Sequence, residues 1–145
     1  MKVIIQRVDC AKVEIEKKVV GQINKGLLIF VGFHCEDTED KIDYLVKKIT
    51  NLRIFNDEND KMNLSIKDTK GSILVVSQFT LYADCNRGNR PDFIQAAKPE
   101  TANILYEKFI KKIKDCDIHT ETGIFAADML IQLANNGPVT IVLEK

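Results

Sequence analysis

A chain of 145 residues has the size of one ordinary domain, spanning 1–145, and leaves no room for a second. Hydrophobic residues at 45% and charged residues at 29% exclude disorder and collagen-like repeats. Lysine plus arginine equals aspartate plus glutamate at 21 each, so overall charge argues for neither a nucleic-acid partner nor a membrane surface.

The opening stretch from Met1 to Arg7 lacks the apolar core of a signal peptide. No apolar run approaches the ~18 residues of a membrane helix, and the expectation is a cytoplasmic protein without membrane contact. Val3, Ile4 and Ile5, then Val13 and Ile15 flanked by Glu14 and Glu16, then Val19, Val20 and Ile23 alternate in the manner of short antiparallel strands joined by tight turns. Gly26 to Phe33 is an unbroken apolar run, as expected of a central strand buried on both faces. Glu39 and Asp40 after Thr38 place negative charge on a helical first turn, and Ile42, Leu45, Val46 and Ile49 extend it for about three turns.

Leu52 to Phe55 reads as a strand, and Asn56 to Lys61 as an exposed loop. Ser72 to Phe79 is a second continuous apolar strand that becomes polar at its end, followed by a glycine- and charge-rich loop from Asp84 to Pro91. After Pro99, the residues Ala102, Leu105, Phe109 and Ile113 mark a second helix whose other face carries Lys108, Lys111, Lys112 and Lys114. That basic stripe reads either as a solvated face or as an RNA contact. Ile118 to Thr122, Ala127 to Leu133 and Val139 to Leu143 complete the strands, the last two interrupted by Asn135-Asn136-Gly137-Pro138. The result is an α/β domain with mixed β-sheet layers and two main helices, whose edge strands call for a second copy as cover.

Cys10, Cys35, Cys85 and Cys116 form no C-x-x-C pair and read as reduced, partly buried thiols. His34 and His119 recur at no ligand spacing, so no metal and no cofactor is expected. Neither histidine accompanies a nucleophile elbow, and no phosphate-cradling glycine motif occurs. Three stretches remain unexplained: Ser77-Gln78-Phe79-Thr80-Leu81 at a strand end, Arg87-Gly88-Asn89-Arg90-Pro91 in a loop, and Asn136-Gly137-Pro138-Val139-Thr140 between strands.

The first and last of these resemble the signature pair of the D-aminoacyl-tRNA deacylases, Ser-Gln-Phe-Thr-Leu and Asn-x-Gly-Pro-Val-Thr. The similarity continues through Ile5-Gln6-Arg7-Val8, Arg53-Ile54-Phe55, Lys61-Met62-Asn63-Leu64, Gly88-Asn89-Arg90-Pro91 and Phe125-Ala126-Ala127-Asp128-Met129, nearly end to end. Asn136 departs from it, standing where members often carry an acid.

The resemblance implies an esterase that cleaves D-amino acids, and glycine, from tRNA while refusing L-residues. It implies a homodimer in which a cis Gly137-Pro138 loop enters the partner's active site and crowds the substrate's α-carbon. By the same resemblance Arg7 holds that loop, while Met129 and Phe125 belong to the substrate pocket. Ser77, Gln78, Phe79 and Thr80 form the catalytic stretch, with backbone N–H groups around Gln78, Phe79 and Thr80 as candidate oxyanion donors. Thr80 stays open between a nucleophile and a water-positioning or structural residue. Arg90, Lys108, Lys111 and Lys112 are the candidate tRNA contacts. The alternative of another class is a module that holds a tRNA acceptor end without chemistry.

Overall fold

The computed structural model describes residues 1–145. Eight strands and three helices follow in the order β1 (Lys2–Ile15), β2 (Lys18–Ile23), β3 (Gly26–Gly32), α1 (Glu39–Thr50), β4 (Phe55–Asn56), β5 (Met62–Leu64), α2 (Ile66–Thr69), β6 (Ser72–Ser77), α3 (Pro99–Lys114), β7 (Thr120–Thr122) and β8 (Leu130–Glu144). A single 3-10 turn, Phe79–Tyr82, follows β6. The main sheet runs β2-β1-β3-β6-β7, with β8 on the remaining side of β1. Strand β1 is antiparallel to its neighbours, whereas β3, β6 and β7 are parallel. The sheet is mixed and nearly closes into a barrel, because β2 comes close to β7. A Cβ on Gly21 would lie 2.5 Å from the Thr122 carbonyl oxygen, so only glycine fits that seam.

The continuous apolar runs are explained by two cores. Leu27, Ile29, Val31, Ile73 and Val75 face the helices α1 and α3, while Leu28, Leu74 and Val76 face inward with Val8, Val13 and Ile23. Alternate residues on β3 and β6 thus enter different apolar layers, and neither strand has a wet face. The apolar stripes of α1 and α3 are those expected from Ile42, Leu45, Val46 and Ile49 and from Ala102, Leu105, Phe109 and Ile113. No helix is long and apolar enough to cross a membrane.

Several expectations need correction. Residues 2–15 form one long strand rather than separate short ones, because Val8 to Val13 keep pairing with β8 while β3 gives way to β2 on the other side. Leu52 to Phe55 is not a strand; only Phe55–Asn56 pairs, against Met62–Leu64, and the acidic loop is the turn of that small hairpin. The short helix α2 is an addition to the expected elements, and Ser65 and Asp68 close a capping box around its start. Strand β8 begins at Leu130, not Ala127, and residues 135–138 do not end it. Cys10, Cys35 and Cys85 are exposed, and only Cys116 is half-buried.

Candidate active site

The central element of the site is the exit from β6. Gln78 extends the parallel ladder one step further, its N–H donating to the Val31 carbonyl at 2.8 Å, before the chain tightens into the 3-10 turn. Gly32 lets that turn lie directly on β3, since a Cβ there would sit 2.8 Å from the Gln78 carbonyl oxygen and 3.2 Å from Leu81 Cβ. Tyr82 is buried and anchors the far end. The Gln78 amide is therefore engaged and cannot serve an oxyanion. The N–H groups of Phe79 and Thr80 open the turn, where no intrahelical acceptor exists.

Beside this exit lies a cavity of about 630 Å³. Its walls come from the ends of β3 and β6, from Gln78 and Phe79, from residues 93–99 entering α3, and from residues 125–129 entering β8. Phe79 is 57% exposed at the rim and meets Phe93 edge-on, ring centroids 4.9 Å apart. Phe125 leans on Tyr106 at 5.8 Å, and Tyr106 is fixed in turn by donating to the Val75 carbonyl at 2.9 Å. Burial pushes the Tyr106 phenol well above its usual range, so it remains a neutral donor. Met129 fits because Gly123 has no side chain: a Cβ there would lie 2.5 Å from the Met129 sulfur.

Ser77, Gln78, Phe79, Phe125 and Met129 are thus brought together. Thr80 is exposed and not among the lining residues; its hydroxyl accepts from the Gln78 side-chain amide. Neither a histidine nor a cysteine lines the cavity. His34 accepts from the Glu36 N–H at 3.2 Å, and His119 lies 3.2 Å from Glu121, both away from the lining. The lining also holds two charged residues, Lys98 and Asp128, and the aromatic Phe93, to none of which the sequence assigns a role. For Lys98 and Phe93 the only signal in the sequence is their place in the segment entering α3, whereas Asp128 stands within the resembling stretch Phe125 to Met129.

Gly137 and Pro138 lie elsewhere. Between the pairs Gln6–Thr140 and Val8–Asn135 the ladder of β1 and β8 shifts register, so residues 136–139 bulge from the strand opposite Arg7. The Gly137-Pro138 peptide is cis, both residues are exposed, and neither lines the cavity of the same chain. Arg7 is buried beneath the bulge, donating through Nε to the Asn136 carbonyl at 3.3 Å and through Nη1 to the Ile54 carbonyl at 2.7 Å and to Asn56 Oδ1 at 3.3 Å. Asn136 donates to both carboxylate oxygens of Asp9 at 3.0 Å, a contact that an acid at this position could not make. Asn135 Oδ1 is buried without a partner.

The lysine face of α3 is tied to carboxylates. Lys108 pairs with Glu39 at 2.7 Å, Lys112 with Glu39 at 3.6 Å and with Asp43, and Lys111 with Asp115 at 2.9 Å. Hydrogen bonding to Lys108 holds the Glu39 carboxyl below its ordinary range, and the Asp43 bond raises the Lys112 ammonium. Arg90 sits exposed in a hairpin closed by the backbone bonds of Asp84 and Asp92, at 2.9 and 3.0 Å.

The family model described as D-Tyr-tRNA(Tyr) deacylase matches residues 4–144. Among curated relatives, the chain is similar to the D-aminoacyl-tRNA deacylase of Clostridioides difficile, 55% identical over 144 residues, covering 99% of this chain and 97% of that one. It is also similar to that of Fusobacterium nucleatum, 53% identical with 99% and 95% covered. The solved structure of the c-Myc DNA Unwinding Element Binding Protein superposes with a TM-score of 0.94 at 37% identity, covering 100% of this chain and 99% of the other. A structure described as a probable eukaryotic D-amino acid tRNA deacylase shares the fold, with a TM-score of 0.83 at 16% identity and 98% and 97% covered.

Proposed function

The chain belongs to the D-Tyr-tRNA(Tyr) deacylase family, and from that membership we propose how its cavity cleaves the ester between a D-amino acid and tRNA. It is a D-aminoacyl-tRNA deacylase, a hydrolase acting on ester bonds. The observation that carries the mechanism is a cavity free of imidazole and thiol, with Thr80 outside it. An aminoacyl ester on ribose is already activated, and the neighbouring 2′-hydroxyl can orient the attacking water. The protein need only position the carbonyl and stabilise the oxyanion. Water adds to the carbonyl carbon, the bond to the ribose oxygen breaks, and that oxygen takes up a proton, releasing free amino acid and tRNA. The Phe79 and Thr80 N–H groups stabilise the oxyanion, Ser77 and Gln78 hold the strand end and the ribose, and Phe125 and Met129 bound the substrate. Thr80 serves as the partner of the Gln78 amide.

Chiral selection comes from the Gly137-Pro138 bulge of a second subunit. Its carbonyls accept from the substrate ammonium and crowd one face of the α-carbon, so a D side chain points outward, an L side chain collides, and glycine passes. Glycyl-tRNA, including glycine mischarged on the alanine tRNA, is therefore a second substrate. The bulge being exposed and outside the lining of its own cavity supports this reading. So do the apolar residues Leu130 and Val142 on the outer strand β8, 59% and 63% exposed, and the unpartnered Asn135 Oδ1. The setting is the cytoplasm, where charged tRNA is used.

Incubation with D-tyrosyl-, L-tyrosyl- and glycyl-tRNA tests the reading: ester loss is expected from the first and third, and equal loss from the L-ester contradicts it. Sedimentation at assay concentration is expected to give a homodimer, and an active monomer overturns the shared site.

A further inference from the structure

The charges around the cavity indicate where the tRNA backbone leaves it, an inference that rests on the deacylase reading. Lys98 and Asp128 are the only charged residues in the lining, and neither is engaged in an ion pair. The substrate is charged at two places as well: an ammonium on the aminoacyl group and a phosphodiester on the 5′ side of the esterified nucleoside. A carboxylate attracts the first and repels the second, and an ammonium does the reverse. Only one orientation of the substrate suits both walls.

The lysines of α3 are poor competitors for that phosphate. Lys108, Lys111 and Lys112 each face a carboxylate within ion-pair distance, so their face is close to neutral. By contrast, Arg87 and Arg90 in the hairpin closed by Asp84 and Asp92 are exposed and unpaired. The chain leads from that hairpin through Phe93, Ala96 and Ala97 in the cavity wall to Lys98. One short stretch of sequence therefore presents three unpaired cations, the last of them in the cavity lining.

We propose that Lys98 is a positioning residue that contacts the phosphodiester next to the esterified nucleoside, with Arg87 and Arg90 continuing the track along the acceptor strand. Lys98 touches no reacting atom. It acts on KM rather than on the ester cleavage, and only for substrates that carry the phosphate.

The test compares Lys98→Ala, Lys98→Arg, Lys98→Glu and the α1 control Lys48→Ala on two substrates, D-tyrosyl-tRNA and D-tyrosyl-adenosine, which has no phosphate. For Lys98→Ala the KM for D-tyrosyl-tRNA is expected to rise about tenfold, and the slope of log affinity against log salt to fall by about one. kcat should hold, Lys98→Arg should recover most of the loss, and Lys98→Glu should exceed it. Hydrolysis of D-tyrosyl-adenosine should match wild type. An effect on D-tyrosyl-tRNA no larger than that of Lys48→Ala overturns the proposal, as does an equal loss on both substrates, which makes Lys98 a wall of the cavity. Wild-type protein that hydrolyses neither D-ester instead removes the deacylase reading itself.

Discussion

Residues 77–82 and 135–140 both disturb regular strands of one sheet, but one turns inward and the other outward. The first is held by its own chain: Gln78 is tied to Val31, Gly32 admits the close approach, and Tyr82 is buried behind it. The second rises from the outer strand β8, supported from below by Arg7 and Asn136 and leaving Gly137 and Pro138 uncovered. A segment that builds a cavity must be packed by the protein that carries it. A segment that closes a cavity in another molecule must be fixed at its base and free at its tip. Under the proposed mechanism, the contrast separates a catalytic half from a selecting half on the same chain.

The largest effect is expected from bulk at the tip. Gly137 has φ +120°, and an added Cβ would lie 2.8 Å from Arg7 Nη2 and 2.9 Å from Val139 Cγ2. Gly137→Val must move the bulge, and single-turnover deacylation of D-tyrosyl-tRNA should fall more than about a hundredfold while the protein stays folded. Arg7→Ala comes next. It leaves the Ile54 and Asn136 carbonyls without their donor and should lower stability by about 1–3 kcal/mol, read as a drop in Tm. The rate should fall about tenfold as the base of the bulge loosens. Thr80→Ala removes a hydroxyl but no backbone donor, so the rate should drop by less than about tenfold, against several orders of magnitude for a lost nucleophile.

The smallest effect on rate is expected at a group outside both segments that does not line the cavity. Asp37 accepts from the Met1 ammonium at 2.8 Å, the His34 N–H at 2.7 Å and Lys41 at 2.9 Å. Burial pushes its carboxyl up, but these donors outweigh burial and hold it below the ordinary 3.8. A depressed carboxylate stabilises the fold above its unfolded value and loses that contribution as the pH falls through its folded value. The stability gap between wild type and Asp37→Asn should therefore be full at neutral pH and shrink below 3.8, with deacylation per folded molecule unchanged. Urea melts across that range, paired with the neutral-pH assay, check both statements.

The two helices and the doubly buried strands were legible because their apolar residues recur at fixed spacing and enter cores directly. The length of β1 and β8 was not. Asp9 and Cys10 are exposed and Asn135 to Pro138 look like a turn, so the alternation breaks although the ladder continues around the bulges. In the site, the motif at 77–81 was visible as a polar end to an apolar strand. Lys98 and Phe93 were not, and Asp128 stood only as part of a resembling stretch, since these segments become neighbours only once α3 and β8 are placed against β6. The pairs of Lys108 and Lys112 with the α1 carboxylates were hidden for the same reason, Lys108 and Glu39 lying 69 positions apart, whereas Lys111–Asp115 is a local i,i+4 pair.

Subunit mixing tests most directly whether the bulge of one chain serves the cavity of another. Gly137→Val disables the bulge and leaves the cavity; Ala127→Trp fills the cavity and leaves the bulge. Each homodimer should be inactive on D-tyrosyl-tRNA. Unfolded together and refolded in equal amounts, half of the dimers combine the two chains, and each of those holds one cavity with an intact bulge opposite it. Activity should then return to about a quarter of wild type. A mixture as inactive as its two parents, with mixed dimers verified by mass, would contradict the shared site and return the bulge to its own chain.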